Sequence, residues 1–120
     1  MAATRRTAAV TRVTPILRSA DALAAARWYE RLGFVTHVVY EPEPGEPRFV
    51  TVRAGDLWLF LSEFEGDASP DTLVYLHVDD IDAMAARLGL LAEDMPWGMR
   101  EVHLTDPDGN RIRVGSPTPA

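Results

Sequence analysis

The sequence predicts an α+β fold, with a few short helices beside roughly six to eight strands in a mostly antiparallel sheet. Short strand signals recur along the chain, and helical periodicity is confined to two brief segments. The second half also repeats the order of the first: strand, helix, strand, strand, strand. With 120 residues, 47% of them hydrophobic and 25% charged, the chain has the size and composition of one globular domain over residues 1–120. Such a chain buries roughly two-thirds of its unfolded surface.

Residues 13–18 form an apolar run that ends in polar residues, which reads as the first strand. Ser19 and Asp21 offer N-cap oxygens to a helix reaching about Leu32. Within it Leu23, Ala26, Tyr29 and Leu32 form an apolar stripe, while Arg27, Glu30 and Arg31 lie largely outside it. Gly33 follows where a C-cap glycine belongs. Residues 34–40 read as a strand, and 41–47, rich in Pro and Glu, as a loop. Residues 49–54 and 57–62 are strands joined at hairpin spacing by Gly55 and Asp56. The first module thus spans about 12–62, and Gly66 and Pro70 mark a linker over about 63–72.

The second module, about 73–116, opens with a strand over 73–78. Asp79, Asp80 or Asp82 can cap a helix running through Leu88 to Gly89. A brief strand is expected at 90–93, a loop at 94–98, and a strand pair at 99–105 and 111–115. Between that pair, Asp106-Pro107-Asp108-Gly109 is turn chemistry, since Pro presets φ and Gly accepts positive φ.

Composition excludes several functions. Twelve basic residues against eighteen acidic ones give a net charge of −6, with a pI near 4.9. Nucleic acids and anionic membranes both require a basic footprint, so neither is an expected partner. The absence of Cys removes disulfides, thiolate nucleophiles and cysteine–zinc sites, and fits a cytoplasmic protein. With no Lys there is neither Schiff-base chemistry nor a phosphate-loop lysine. No apolar run approaches membrane-spanning length, and the N-terminal residues, with Arg5 and Arg6, lack a signal-peptide core.

Trp28-Tyr29-Glu30-Arg31-Leu32-Gly33-Phe34 resembles the helix end of the vicinal-oxygen-chelate superfamily, the glyoxalase/bleomycin-resistance/dioxygenase fold. Pro96-Trp97-Gly98-Met99-Arg100-Glu101, followed by Asp106-Pro107-Asp108-Gly109-Asn110-Arg111, is similar to that family's C-terminal signature. The resemblance runs from about Val13 to Gly115. It implies two βαβββ modules curving into a cup with helices outside, usually completed in a homodimer. Trp28, Tyr29 and the Asp-Pro-Asp-Gly turn themselves read as structural.

Strand alternation sorts candidate site residues by face. On 99–105, Val102 and Leu104 oppose Glu101, His103 and Thr105; on 111–115, Ile112 and Val114 oppose Arg111, Arg113 and Gly115. The apolar face packs on the helices, leaving the polar face to the cup or to solvent. Similar logic turns Thr14, Ile16 and Arg18 inward. On 57–62 and 73–78 both faces are apolar, and only the resemblance selects Trp58 and Phe60, then Leu73, Tyr75 and His77. Trp97 stands apart as an aromatic in a Pro-Trp-Gly loop.

Enzymes of the superfamily commonly hold a divalent metal with His, Gln or Glu. Carried onto this chain, those ligand positions fall on Thr14, on Leu73 or the adjacent Val74, on Arg113 and near Trp58. None suits a hard or borderline cation, and Arg113 is a permanent one. A rearranged set of His77, Glu101 and His103 is conceivable, although an ion pair of Glu101 with Arg113 or Arg18 is simpler. The resemblance therefore points to the metal-free bleomycin-resistance type, with no cofactor. The first expectation is a non-catalytic protein sequestering an antibiotic of the bleomycin type in an aromatic-lined acidic cleft. The alternative is a glyoxalase-like lyase, isomerase or thiol transferase with a rearranged metal site. Seven acidic residues and no Arg between Glu63 and Asp82 suggest a ligand that is planar and cationic.

Overall fold

The computed structural model describes residues 8–119, so Arg5 and Arg6 lie outside it. The first module comprises β1 (Ile16–Arg18), α1 (Ala22–Tyr29), a 3-10 turn (Glu30–Leu32), β2 (Val35–Tyr40), β3 (Phe49–Ala54) and β4 (Leu57–Ser62). The second comprises β5 (Leu73–His77), α2 (Ile81–Leu88), β6 (Glu93–Asp94), β7 (Met99–Thr105) and β8 (Arg111–Pro117). Each module builds its own four-stranded sheet, in the orders β1-β4-β3-β2 and β5-β8-β7-β6. Both sheets are mixed. The first strand of each runs parallel to the last, β1 with β4 and β5 with β8, while the other pairs are antiparallel. The two expected βαβββ modules are therefore present.

Several boundaries differ from the sequence expectation, for local reasons. The first strand begins only at Ile16, because Pro15 has no N–H and contributes only its carbonyl, which accepts from Phe60 N at 3.0 Å. The helix tightens after Tyr29, and Gly33, at φ 91°, closes the turn. Asp21, not Ser19, caps α1 by accepting from Ala24 N at 3.1 Å. After α2, Leu90 N bonds back to Ala85 O at 2.9 Å, so the strand expected at 90–93 shrinks to Glu93–Asp94. Strand β8 continues to Pro117 through pairing with β7.

Helix α1 buries Ala22, Ala25, Ala26 and Tyr29 against Leu17, Val50, Val52, Leu59 and Leu61. In the second module α2 brings Ile81 and Ala85 to Val102, Ile112 and Val114. Each sheet thus has one face closed by a helix and one face left open.

The two sequence signatures meet at the joint between modules. Asp106, the first residue of the turn, accepts from Asp108 N and Asn110 N at 2.8 and 2.9 Å. Its other oxygen accepts from the Tyr29 hydroxyl at 2.6 Å. Asn110 donates to Arg18 O at 2.9 Å, and Asp108 accepts from Ser19 Oγ and Ala20 N. Trp28 and Tyr29 are thus part of the scaffold, as the sequence suggested, and Ser19 serves the joint. The radius of gyration is 17.3 Å, against about 13.6 Å for a compact chain of this length. Among the described residues no helix is long and apolar enough to cross a membrane.

Candidate functional site

The open face of the first sheet is aromatic. Alternation along β4 places Trp58 and Phe60 opposite the buried Leu59 and Leu61. Register carries the face onto Phe49, Thr51 and Arg53 of β3 and onto Ile16 and Arg18 of β1. Ring centroids link His37 to Trp58 at 5.6 Å, Trp58 to Phe60 at 6.2 Å, and Phe60 to Phe49 at 5.0 Å. The Arg12 guanidinium lies 4.5 Å from the Trp58 ring centre. Arg18 is tied to the backbone, its Nη1 donating to Glu63 O and Phe64 O at 2.9 and 3.0 Å.

The open face of the second sheet is polar and ordered in rows. Cross-strand register sets Tyr75, Arg113 and His103 side by side, then His77, Gly115 and Glu101 in the next row. Glu101 is the centre of this face. Its side chain is fully buried, and it accepts from Trp97 Nε1 at 2.9 Å and from His103 Nε2 at 2.8 Å. Burial pushes the Glu101 carboxyl up, but His103, Trp97 and the nearby Tyr75 hydroxyl outweigh it and leave it below the usual carboxylate range. The expected ion pair with Arg113 or Arg18 does not form. Trp97 sits at the turn between β6 and β7, where Gly98 at φ 89° permits the tight reversal. It is 58% exposed even though its indole N–H is fixed on Glu101.

Tyr75 leans over Gly115 toward Glu101, in space that a side chain at Gly115 would occupy. Its hydroxyl is buried and makes no hydrogen bond of good geometry. Burial, and then the neighbouring Glu101 carboxylate, push its pKa up to about 12, against a smaller lowering by Arg113. Between the modules a largely apolar cavity of about 370 Å³ is lined by Phe34, Trp58, Met84, Tyr75 and His77. It joins the two open faces at Trp58, Tyr75 and His77.

The structure thus gathers Trp97, Tyr75, His77, Glu101, His103 and Arg113 on one sheet, with Trp58 and Phe60 on the other. Sequence reasoning passed over Phe49, whose alternation on β3 was readable, and did not single out His37. His37 reaches Trp58 because the β2–β3 register shifts between Thr36 and Val38, a bulge that leaves no mark in the sequence. The acidic run lies elsewhere. Glu63 accepts from Ala22 N and Arg48 N, Asp67 from Ser62 Oγ, Asp80 caps α2, and Asp82 pairs with Arg100.

The donor set does not fit a superfamily metal. The residues onto which the resemblance carries ligands, Leu73 or Val74 and Arg113, lie on β5 and β8 and offer no carboxylate or imidazole, both oxygens of Glu101 are engaged, and His103 is tied to it through Nε2. Among the described residues no three His, Asp or Glu side chains gather as a metal site.

The family model for glyoxalase superfamily proteins matches residues 2–118. TnmS3, an antibiotic binding protein from Streptomyces sp. CB03234, is 28% identical, with a TM-score of 0.71 over 93% of this chain and 100% of that one. A bleomycin-binding protein solved in complex with bleomycin is 23% identical, with a TM-score of 0.71 over 91% and 100%. A glyoxalase-related enzyme from Clostridium phytofermentans is 20% identical, with a TM-score of 0.75 over 95% and 100%. At their identities the last two establish the fold alone. No curated protein matches. Because the family match takes in both modules and the Asp106 joint between them, the chain belongs to the glyoxalase superfamily.

Proposed function

We propose that this chain is a non-catalytic binding protein that sequesters a planar small molecule, an antibiotic of the bleomycin-binding kind, in a cleft completed by a second copy. The observation that carries the reading is Trp97. An indole more than half exposed, yet fixed by its N–H on a buried carboxylate, is a preset stacking surface. Glu101 bonds both to His103 and to Trp97, so this buried carboxylate serves to hold the indole in place. Among the solved relatives, TnmS3 is an antibiotic binding protein and another neighbour was solved with bleomycin. The expectation of a cationic ligand rested on the acidic run, in which Glu63, Asp67, Asp80 and Asp82 already bond within the first module, the linker and α2. No observation favours the metal-dependent alternative.

Calorimetric titration of the purified protein with bleomycin and a panel of planar antibiotics tests the reading. Trp97→Ala is expected to weaken binding of any hit by about 2–4 kcal/mol. It should lower folding stability by only about 1–2 kcal/mol, through the lost bond to Glu101. A variant that melts much earlier but binds normally once folded would make Trp97 scaffold and overturn the assignment.

A further inference from the structure

Resting on the binding reading, we propose that the ligand carries an anionic oxygen on its planar ring system, received by Arg113 in the row it shares with Tyr75 and His103. The open face of the second sheet holds Arg111 and Arg113, and that of the first holds Arg53. None of the three makes an ion pair or side-chain hydrogen bond with another described residue. Glu101 and Glu93 of the same sheet make no ion pair with them. Glu101 is buried and taken by Trp97 and His103, and Glu93 stands across from it at the outer strand β6. The chain is acidic as a whole, but this face presents unpaired guanidinium groups.

Arg113 is the member of the set built into a site. It is half-buried in the middle of the sheet, between Tyr75 on one side and His103 on the other. A planar guanidinium presents N–H groups in a fixed fork that matches a carboxylate or phenolate, and partial burial strengthens the contact. The Tyr75 hydroxyl, in the same row, is buried with no hydrogen-bond partner. Arg113 is thus an unpaired cation in a row whose Tyr75 hydroxyl, turned over Gly115 toward Glu101, makes no hydrogen bond of good geometry. Burial and Glu101 hold that hydroxyl protonated at neutral pH, so it remains a donor. The aromatic surfaces of Trp97 and Trp58 then take the ring while Arg113 takes its oxygen.

Three isosteric probes test this by intrinsic tryptophan fluorescence and calorimetry: 2-naphthoate, neutral 2-naphthamide and cationic 2-naphthylmethylammonium. The carboxylate is expected to bind at least about tenfold more tightly than either of the others. Arg113→Gln should bring the three within about twofold, Arg113→Lys should keep part of the preference, and added salt should reduce it. Circular dichroism confirms the fold of each variant. Binding without preference for the carboxylate, or a preference unchanged in Arg113→Gln, overturns this inference and leaves the binding reading standing. Failure of all three probes to bind overturns the planar-ligand reading itself, and this inference with it.

Discussion

Glu101 shows how one residue sets the chemistry of a face. A buried carboxylate is tolerable only when hydrogen bonds replace its hydration, and here an indole N–H and an imidazole N–H do so. Because its folded pKa lies below the ordinary value of 4.5, its contribution to stability is complete above that pH. It is lost as pH falls through the lower folded value. Thermal melts from about pH 6 down to about pH 3 should therefore show wild type losing more stability than Glu101→Gln, which has no carboxylate to titrate. Parallel curves would refute this. Asp94 is also held below its usual range, by its hydrogen bond to Arg100, but that pair is exposed and salt should screen it. Gly115 belongs to the same cluster. An added Cβ would meet the Tyr75 hydroxyl and come within 2.9 Å of Arg100 O. Gly115→Ala should cost about 1–3 kcal/mol in urea denaturation, displacing Tyr75 from its place over the sheet; unchanged stability would mean that the space is slack.

At the scale of elements, one carboxylate organises the joint between modules, beside the bonds that Asp108 and Asn110 make to Ser19, Ala20 and Arg18. Asp106 satisfies two backbone N–H groups of its own turn and the Tyr29 hydroxyl of α1. Burial, followed by the bond to Asp106, pushes the Tyr29 pKa far above its ordinary value, so this donor keeps its proton. Asp106→Ala strands these three donors and the Asn110 side-chain amide, which also donates to Asp106, and should cost about 2–4 kcal/mol, while Tyr29→Phe removes one bond and should cost about 1–2 kcal/mol. A double-mutant cycle that returned purely additive losses would deny the coupling. The sequence made the elements legible where local chemistry decides them. Strands β3, β4 and β7 have the bounds expected, because Gly55-Asp56 and Asp106-Pro107-Asp108-Gly109 punctuate the apolar runs. Alternation also sorted Glu101, His103 and Arg113 onto one face. It did not reveal what they bond, because the partner of Glu101 depends on cross-strand register and on the turn that carries Trp97. On β4 and β5 both faces are apolar, so burial, not pattern, had to show which side was open. Ser19 looked like a cap from its neighbours, and only the tertiary fold assigns it to Asp108.

The whole molecule is too extended for its length. A radius of gyration of 17.3 Å exceeds the compact value of about 13.6 Å, and each sheet leaves one face without a helix over it. Strand β2 is an edge of its sheet, and its Val35, Val38, Val39 and Tyr40 are all exposed, as is Leu57 on β4. An edge strand with such side chains is a surface for another chain, and natural proteins cover or charge such edges. Net charge −6 opposes random aggregation but does not prevent a specific, symmetric contact. A second copy would cover the apolar edge and wall the cleft that Trp58 and Trp97 begin. Light scattering at micromolar concentration is accordingly expected to give twice the chain mass of 13.3 kDa. Val38→Glu, which places a charge on the exposed edge without touching the helix-packed core, should shift the mass toward one chain and weaken ligand binding together. A wild-type mass near 13.3 kDa would sink the dimer. A monomeric Val38→Glu that binds as tightly as wild type would place the whole cleft within one chain, between Trp58, Tyr75 and His77.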